Sequence, residues 1–186
     1  MKEQFVSETI KYDGRQLASL WAFRNFNLQG DSIIAFRGPC HVELTEMVDL
    51  ADVKEEAHIY SEEMLHFIVE HFDLDLEKTV TRQRLLIAII KEQLEGINPQ
   101  VRLVRQGDDL YWGEKKLSVS IATLSPVSTL IHVGLNIVSD NTPVPTVGLK
   151  ELGLQSIEDF AQLINKSYLE EIESIYLARC KVRGVD

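Results

Sequence analysis

Four strand-like segments, 101–104, 109–112, 116–124 and 129–138, follow one another in the second half of the chain with only short connections, among them the turn Gly113-Glu114 and a link through Pro126. Connections this short join antiparallel neighbours, because a parallel pair needs a crossover of about a dozen residues. Further strands are expected at 4–12, closed by the turn Asp13-Gly14, and at 32–37 and 42–48 on either side of a turn at Arg37-Gly38-Pro39-Cys40. Leu17, Leu20, Trp21, Phe23 and Phe26 suggest a short helix ending by Gly30. The middle reads as helical: Met64, Leu65, Ile68 and Phe72 recur at helical spacing within 57–72. A second helix is expected at about 81–94, closed by Gly96 and Pro99, and a last one at about 156–178 after a proline-marked loop at 141–145. The pattern predicts an α+β fold, a mixed and mostly antiparallel sheet flanked by helices. A length of 186 residues suits one domain, 1–186, with a helical elaboration at about 57–95.

Composition narrows the classes of function. Asp and Glu number 29 against 19 Lys and Arg, a net charge of −10. A general nucleic-acid binder needs a basic surface to displace phosphate counterions, so no nucleic-acid partner is expected, while a local basic pocket is permitted. The longest apolar run, 85–90, is bounded by Arg84 and Lys91 and falls far short of a membrane span. The opening Met-Lys-Glu-Gln-Phe-Val has no apolar stretch of a signal peptide, so a cytoplasmic protein without membrane contact is expected. Cys40 and Cys180 form neither a CxxC pair nor a disulfide framework, and no structural zinc site is expected.

Four constellations carry candidate chemistry. In Gly107-Asp108-Asp109-Leu110-Tyr111-Trp112-Gly113-Glu114-Lys115-Lys116-Leu117-Ser118, hairpin geometry brings Asp109 near Lys116. A lysine there stabilises charge on a phosphate or acyl oxygen, and Asp108 or Asp109 could hold Mg²⁺; an exposed hairpin with a surface ion pair reads the same way. In Arg37-Gly38-Pro39-Cys40-His41, the cysteine and histidine are neighbours on a strand and point to opposite faces, so Cys40 reads as a small buried residue. Arg37 and Gly38 could bind an anion, or form a turn with a solvated arginine. His58, Glu62, His66 and Glu70 form a four-residue stripe that would chelate a metal on a helix or simply be its solvated face. In His132-Val133-Gly134-Leu135-Asn136-Ile137, Gly134 marks the close approach of a ligand or backbone, and His132 and Asn136 share a face. A satisfied core histidine is the plain alternative there.

Taken in order, these stretches resemble the biotin/lipoate protein ligase and octanoyltransferase superfamily. Asp108-Asp109-Leu110-Tyr111 with Lys115-Lys116-Leu117-Ser118 is similar to the biotin ligase pattern Asn-Asp-Leu-Tyr, a Gly turn, then Lys-Leu-Ala-Gly. Arg37-Gly38-Pro39-Cys40-His41-Val42, running to Val48-Asp49-Leu50, is similar to the octanoyltransferase segment His-Gly-Pro-Gly-Gln-Leu. His132–Ile137 resembles Gly-Ile-Asn-Val of the ligases and Ala-Leu-Asn-Val of the transferases, and Val144-Pro145-Thr146-Val147-Gly148 sits where transferases have Pro-Cys-Gly. Gly153-Leu154-Gln155-Ser156-Ile157 resembles their Gly-x-x-Ser-Leu helix start. The whole chain is most similar to a member family with archaeal and bacterial members, domain of unknown function family 366.

The resemblance implies a single ligase-like domain acting as a ligase or acyltransferase on a small carboxylic acid or its acyl-adenylate, with ATP and Mg²⁺. Lys116 would be catalytic, orienting carboxylate or phosphate. Arg37, Gly38, His132, Gly134 and Asn136 would bind substrate, and Asp108 and Asp109 would place nucleotide and Mg²⁺. The partner implied is an acceptor protein lysine, and a homo-oligomer is left open. There are departures: Val119 replaces the glycine after the ligase lysine, and Thr146 replaces the acyl-accepting cysteine. The Gly-Arg-Gly-Arg and Arg-Arg-x-Ser-Gly-Gly loops are missing. These favour a rival reading, a non-catalytic ligand-sensing or assembly module on a degenerate ligase fold. A third is an acyltransferase that works through Cys40.

Overall fold

The computed structural model describes residues 1–54 and 59–185. Its main sheet has five strands: β1 (Lys2–Val6), β2 (Ser32–Val42), β3 (Ile59–His71), β7 (Ser118–Leu124) and β8 (Thr129–Asn136), in the order β1-β2-β3-β8-β7. Only β1 and β2 run parallel; every other neighbour is antiparallel, which makes the sheet mixed and mostly antiparallel as expected. A second sheet is built from β4 (Val104–Gln106), β5 (Asp109–Trp112) and β6 (Lys115–Lys116). Four helices complete the described chain: α1 (Trp21–Phe26), α2 (Leu50–Lys54), α3 (Leu76–Ile97) and α4 (Ile157–Arg179). None of them is long and apolar enough to cross a membrane.

Helices α3 and α4 start where their caps put them. The Asp75 carboxylate accepts from the Lys78 N–H at 2.9 Å, and the Ser156 hydroxyl accepts from the Asp159 N–H at 3.1 Å, each satisfying an orphan donor of a first turn. Both helices cover one face of the main sheet. Leu86, Ile87 and Ile90 of α3 and Phe160, Ile164 and Tyr168 of α4 pack there against Ile33, Leu65, Phe67 and Val133. On the opposite face, Ile34, Phe36, Met64 and Ile68 form a smaller cluster with Tyr12, Cys40 and the α1 residue Ala22.

Within the segment expected to be a helix at 57–72, residues 57 and 58 lie outside the described residues, and Ile59–His71 is the central strand β3. It lies between β2 and β8 and is buried on both faces, its odd residues Leu65, Phe67 and Val69 toward α3 and α4 and its even residues Met64 and Ile68 toward the smaller cluster. A strand buried on both faces loses the apolar–polar alternation that identifies it, and its continuous run then mimics helical spacing. Over its described residues, the helical elaboration expected at 57–95 is therefore one strand and one helix. The turn expected at Arg37-Gly38-Pro39-Cys40 is also absent. Strand β2 runs through it, with its register shifting between Gly38 and Cys40, where Pro39 owes no ladder hydrogen bond. The segment around Tyr12 lies beside it: the Ile10 N–H donates to the Arg37 carbonyl and the Tyr12 N–H to the Pro39 carbonyl, each at 2.9 Å. The strand expected at 42–48 ends at Val42, and a 3-10 turn, Leu44–Glu46, follows.

Candidate functional site

The face carrying the smaller cluster holds a cavity of about 290 Å³. That lies near the lower end of small-molecule sites, about 300 Å³. Val42, Met47, Ile59, Met64 and Val119 supply apolar walls, and Asp109, Lys116, His132 and Asn136 are among its polar lining. The hairpin of β5 and β6 delivers the charged residues. Gly113 takes φ +61 in the turn, Tyr111 pairs with Lys116, and Asp109 lies diagonally across. Lys116 is clamped by its backbone: its N–H donates to the Pro145 carbonyl at 2.9 Å, and its carbonyl accepts from the Val147 N–H at 3.1 Å and from Asn136 Nδ2 at 3.4 Å. The Asn136 N–H donates to the Leu117 carbonyl at 3.0 Å. A side chain whose stem is held on both sides presents its ammonium from a fixed point.

The Lys116 ammonium lies 2.9 Å from Asp109 Oδ2. Burial pushes the Asp109 carboxyl above its usual range, and the hydrogen bond from Lys116 opposes that only in part. The Asp109 carboxylate is the anionic half of the pair and stands where a substrate carboxylate could replace it. Asp108 is differently employed. Its Oδ2 accepts from Gln83 Nε2 at 2.9 Å and from the Ser120 hydroxyl at 3.1 Å, and Arg84 lies 3.5 Å from Oδ1. It ties the hairpin to α3 and β7.

His132 lies on the buried side of the cavity. Its ring stacks on Tyr12 with centroids 3.7 Å apart and planes 13° apart, and its Nε2 lies 3.1 Å from His66 Nδ1. His66 Nε2 is 3.2 Å from the Gly38 carbonyl oxygen. Burial pushes His66 down to about 3, against the opposing Gly38 hydrogen bond, and burial followed by the neighbouring His66 drives His132 well below its usual value. Both rings are neutral at physiological pH.

The structure brings Asp108, Asp109, Lys116, His132 and Asn136 around one cavity, but not the other expected residues. By strand alternation, Arg37 shares the face of Ile33 and Ala35, the side away from the cavity, and its guanidinium pairs with Glu63. Its expected role as an anion ligand has no support there. Gly38 is required for another reason: a Cβ would overlap the Ile10 carbonyl. Gly134 lies under the cavity floor, where a Cβ would meet Met64 Cε at 2.9 Å, Val119 Cγ2 at 3.2 Å and His132 Cε1 at 3.4 Å. Cys40 is fully buried with its thiol pushed up to about 12, while His41 turns outward to Glu43 at 3.1 Å. A nucleophile needs an accessible thiolate, so Cys40 is not placed to carry acyl transfer and is the small buried residue expected of it.

The four-residue stripe does not gather. His58 lies outside the described residues, and along a strand Glu62, His66 and Glu70 are spaced about 13 Å apart. The buried Glu70 carboxylate instead accepts from the Leu20 N–H at 2.8 Å and the Ser128 hydroxyl at 2.7 Å. Tyr12 and Ser61 also line the cavity though they belong to none of the four constellations, and His66 serves as the neighbour of His132 rather than in the four-residue stripe. Nothing local marks Tyr12 or Ser61; the register of β2 on β3 and the crossing of the segment around Tyr12 place them.

The family model of DUF366, a domain of unknown function, matches residues 1–183. A Methanocaldococcus jannaschii protein described as uncharacterized is 43% identical over 177 residues, 92% of this chain and 79% of its own length. A solved Pyrococcus horikoshi protein of unknown function superposes with TM-score 0.89 at 40% identity, over 99% of this chain and 100% of that one. A T. acidophilum protein provisionally assigned as a lipoate protein ligase, with bound lipoic acid, gives 0.61 at 15% identity, over 93% and 87%. The Aquifex aeolicus biotin protein ligase in complex with biotin and ATP gives 0.58 at 16%, over 91% and 70%. The two ligases are likenesses of fold, and the fold here is that of the biotin and lipoate protein ligases.

Proposed function

The chain belongs to the DUF366 family, and on that premise we propose that residues 1–186 act as one ligase-like domain, an enzyme that binds a small carboxylic acid or its acyl-adenylate and transfers the acyl group to a lysine of an acceptor protein. The observation that carries this is Lys116: a backbone-clamped ammonium at the mouth of an apolar cavity, balanced by a half-buried carboxylate 2.9 Å away. An incoming carboxylate takes over the role of Asp109, whose own ionisation burial already disfavours. An ammonium held in place ahead of reaction also stabilises charge that develops on an acyl or phosphoryl oxygen. The apolar walls accept the carbon chain, and Asn136 braces Lys116 from behind.

ATP fits this reading as the activating co-substrate, as the A. aeolicus ligase in complex with biotin and ATP suggests. A resident Mg²⁺ on the paired aspartates does not fit the donor set. Asp108 already accepts from Gln83 and Ser120, with Arg84 beside it, and Asp109 holds Lys116. Mg²⁺ would enter on the nucleotide's phosphates. The setting consistent with an ATP-dependent reaction is the cytoplasm.

A thermal-shift panel tests the reading, with ATP–Mg²⁺ and biotin, lipoate, octanoate and other short acids on wild type and Lys116→Ala. A ligand that binds only the folded state must raise the melting temperature. A shift in wild type that disappears in Lys116→Ala is expected; equal shifts in both proteins would refute the role of Lys116.

A specific observation favours the second reading, a ligand-sensing or assembly module. Thr146 occupies the position of the transferases' cysteine and bonds Thr142 at 2.7 Å, and Val119 fills the position of the ligases' glycine. A bound acid in the mass spectrum of purified protein, with no transfer when ATP is added, would decide for it.

A further inference from the structure

The buried wall of the cavity differs from its mouth. Asp109 and Lys116 keep a quarter or more of their side chains exposed, 25% and 29%, whereas Tyr12, Ser61 and His132 are 4%, 1% and 3% exposed. All three line the cavity. Among the described residues, the Ser61 hydroxyl is fully buried and has no hydrogen-bond partner. Buried polar groups are nearly always satisfied, so an unpartnered one on a cavity wall calls for a partner inside it.

The state of His132 follows from an atom that has no choice. The Gly38 carbonyl can only accept, so His66 carries its proton on Nε2. His66 is neutral, so its Nδ1 is a lone pair and accepts from His132 Nε2–H. His132 is neutral as well, which leaves its Nδ1 bare. Nδ1 is the ring's one remaining hydrogen-bonding atom, and it can accept but not donate. Stacking on Tyr12 holds the ring in plane.

We propose that the buried wall selects acids whose far end carries a neutral hydrogen-bond donor, which His132 Nδ1 accepts while the Ser61 and Tyr12 hydroxyls bond the same group. His132 is the specificity-determining residue, and His66 is the positioning residue that fixes its tautomer. A plain alkyl end would leave these groups unpaired, and sites built to hydrogen-bond a ligand discriminate strongly against analogues lacking the matching group. The proposal rests on the acid-binding reading of Lys116, and it adds what the other end of the acid must be.

Calorimetric titration of matched acids tests it, each ω-hydroxy acid against the ω-methyl acid of equal length, across a graded series with ATP–Mg²⁺ present. The best ω-hydroxy acid should bind on the order of tenfold tighter than its partner, the worth of a buried neutral hydrogen bond. In His132→Phe, which keeps the stacked ring, that ratio should fall to about one, and in Ser61→Ala it should fall part of the way. Lys116→Ala should weaken both acids together and leave the ratio intact. Equal binding of the pair by wild type, or an unchanged ratio in a folded His132→Phe, overturns the selectivity and spares the acid-binding reading. If no acid binds at all, both fall. The tautomer has its own test: ¹⁵N NMR of the free protein should show bare Nδ1 on both rings, and a proton on His132 Nδ1 would refute the relay.

Discussion

Folding buries His66 and His132 in neutral form, so acid should destabilise the protein in a window set by histidine rather than by carboxylates. An unfolded histidine takes up a proton near pH 6.5, whereas folded His66 resists down to about 3. Between those values the unfolded state binds more protons than the folded one, so stability rises with pH there and falls as pH drops. Acidifying from pH 7 to 5 covers roughly 1.5 units of that window, at about 1.4 kcal/mol per unit, so His66 alone should lose about 2 kcal/mol of stability. His132 adds a loss of the same sign, because burial and then His66 lower it too. Urea unfolding at pH 7, 6 and 5 measures the loss, with the slope m held common to all three. Replacing both rings with phenylalanine (H66F/H132F) keeps the aromatic stack and removes the protons, and should flatten the dependence. A wild-type stability that stays constant from pH 7 to 5 would refute the neutral pair, and with it the tautomer argument for His132.

Other consequences are more local. Gly38→Ala should cost about 3 kcal/mol or prevent folding, because the new methyl meets the backbone of Ile10, which has nowhere to move; a melting temperature within a degree of wild type would contradict the close approach. Arg37→Ala should leave acid binding in calorimetry unchanged and cost less than about 1 kcal/mol, since it removes a half-exposed pair with Glu63 on the far face of the sheet. A tenfold loss of ligand affinity would return Arg37 to the site. Cys40 should resist alkylation in the folded protein and label fully in urea, because its thiol is buried and pushed up to about 12; rapid labelling under native conditions, read by mass, would show the core around it to be open.

Much of the site at its mouth was legible along the chain. Asp109 and Lys116 lie on either side of a two-residue turn, and hairpin geometry alone brings them to 2.9 Å. His132 and Asn136 share a face because their separation is even. The start of α4 was equally local, with Ser156 standing where an orphan N–H needs an acceptor, whereas α3 starts at Leu76 behind its cap Asp75, ahead of the 81 expected. Each of these relations spans a few residues and is imposed by backbone geometry, so no knowledge of the rest of the molecule is required.

What lay beyond the sequence was set by pairings between distant segments. Strand β3 reads as a helix until β2 and β8 are known to flank it, because burial on both faces erases the alternation. Arg37 looks like an anion ligand until its strand face is known, and that face depends on which core its neighbours enter. Tyr12, His66 and His132 converge from three segments that sequence separates by more than fifty residues, and the protonation of His132 is decided by a carbonyl at Gly38 acting through His66. Alternation, turns and caps are local properties that a chain carries in its own order. Burial, face and tautomer are properties of an environment, and only the assembled tertiary structure supplies one.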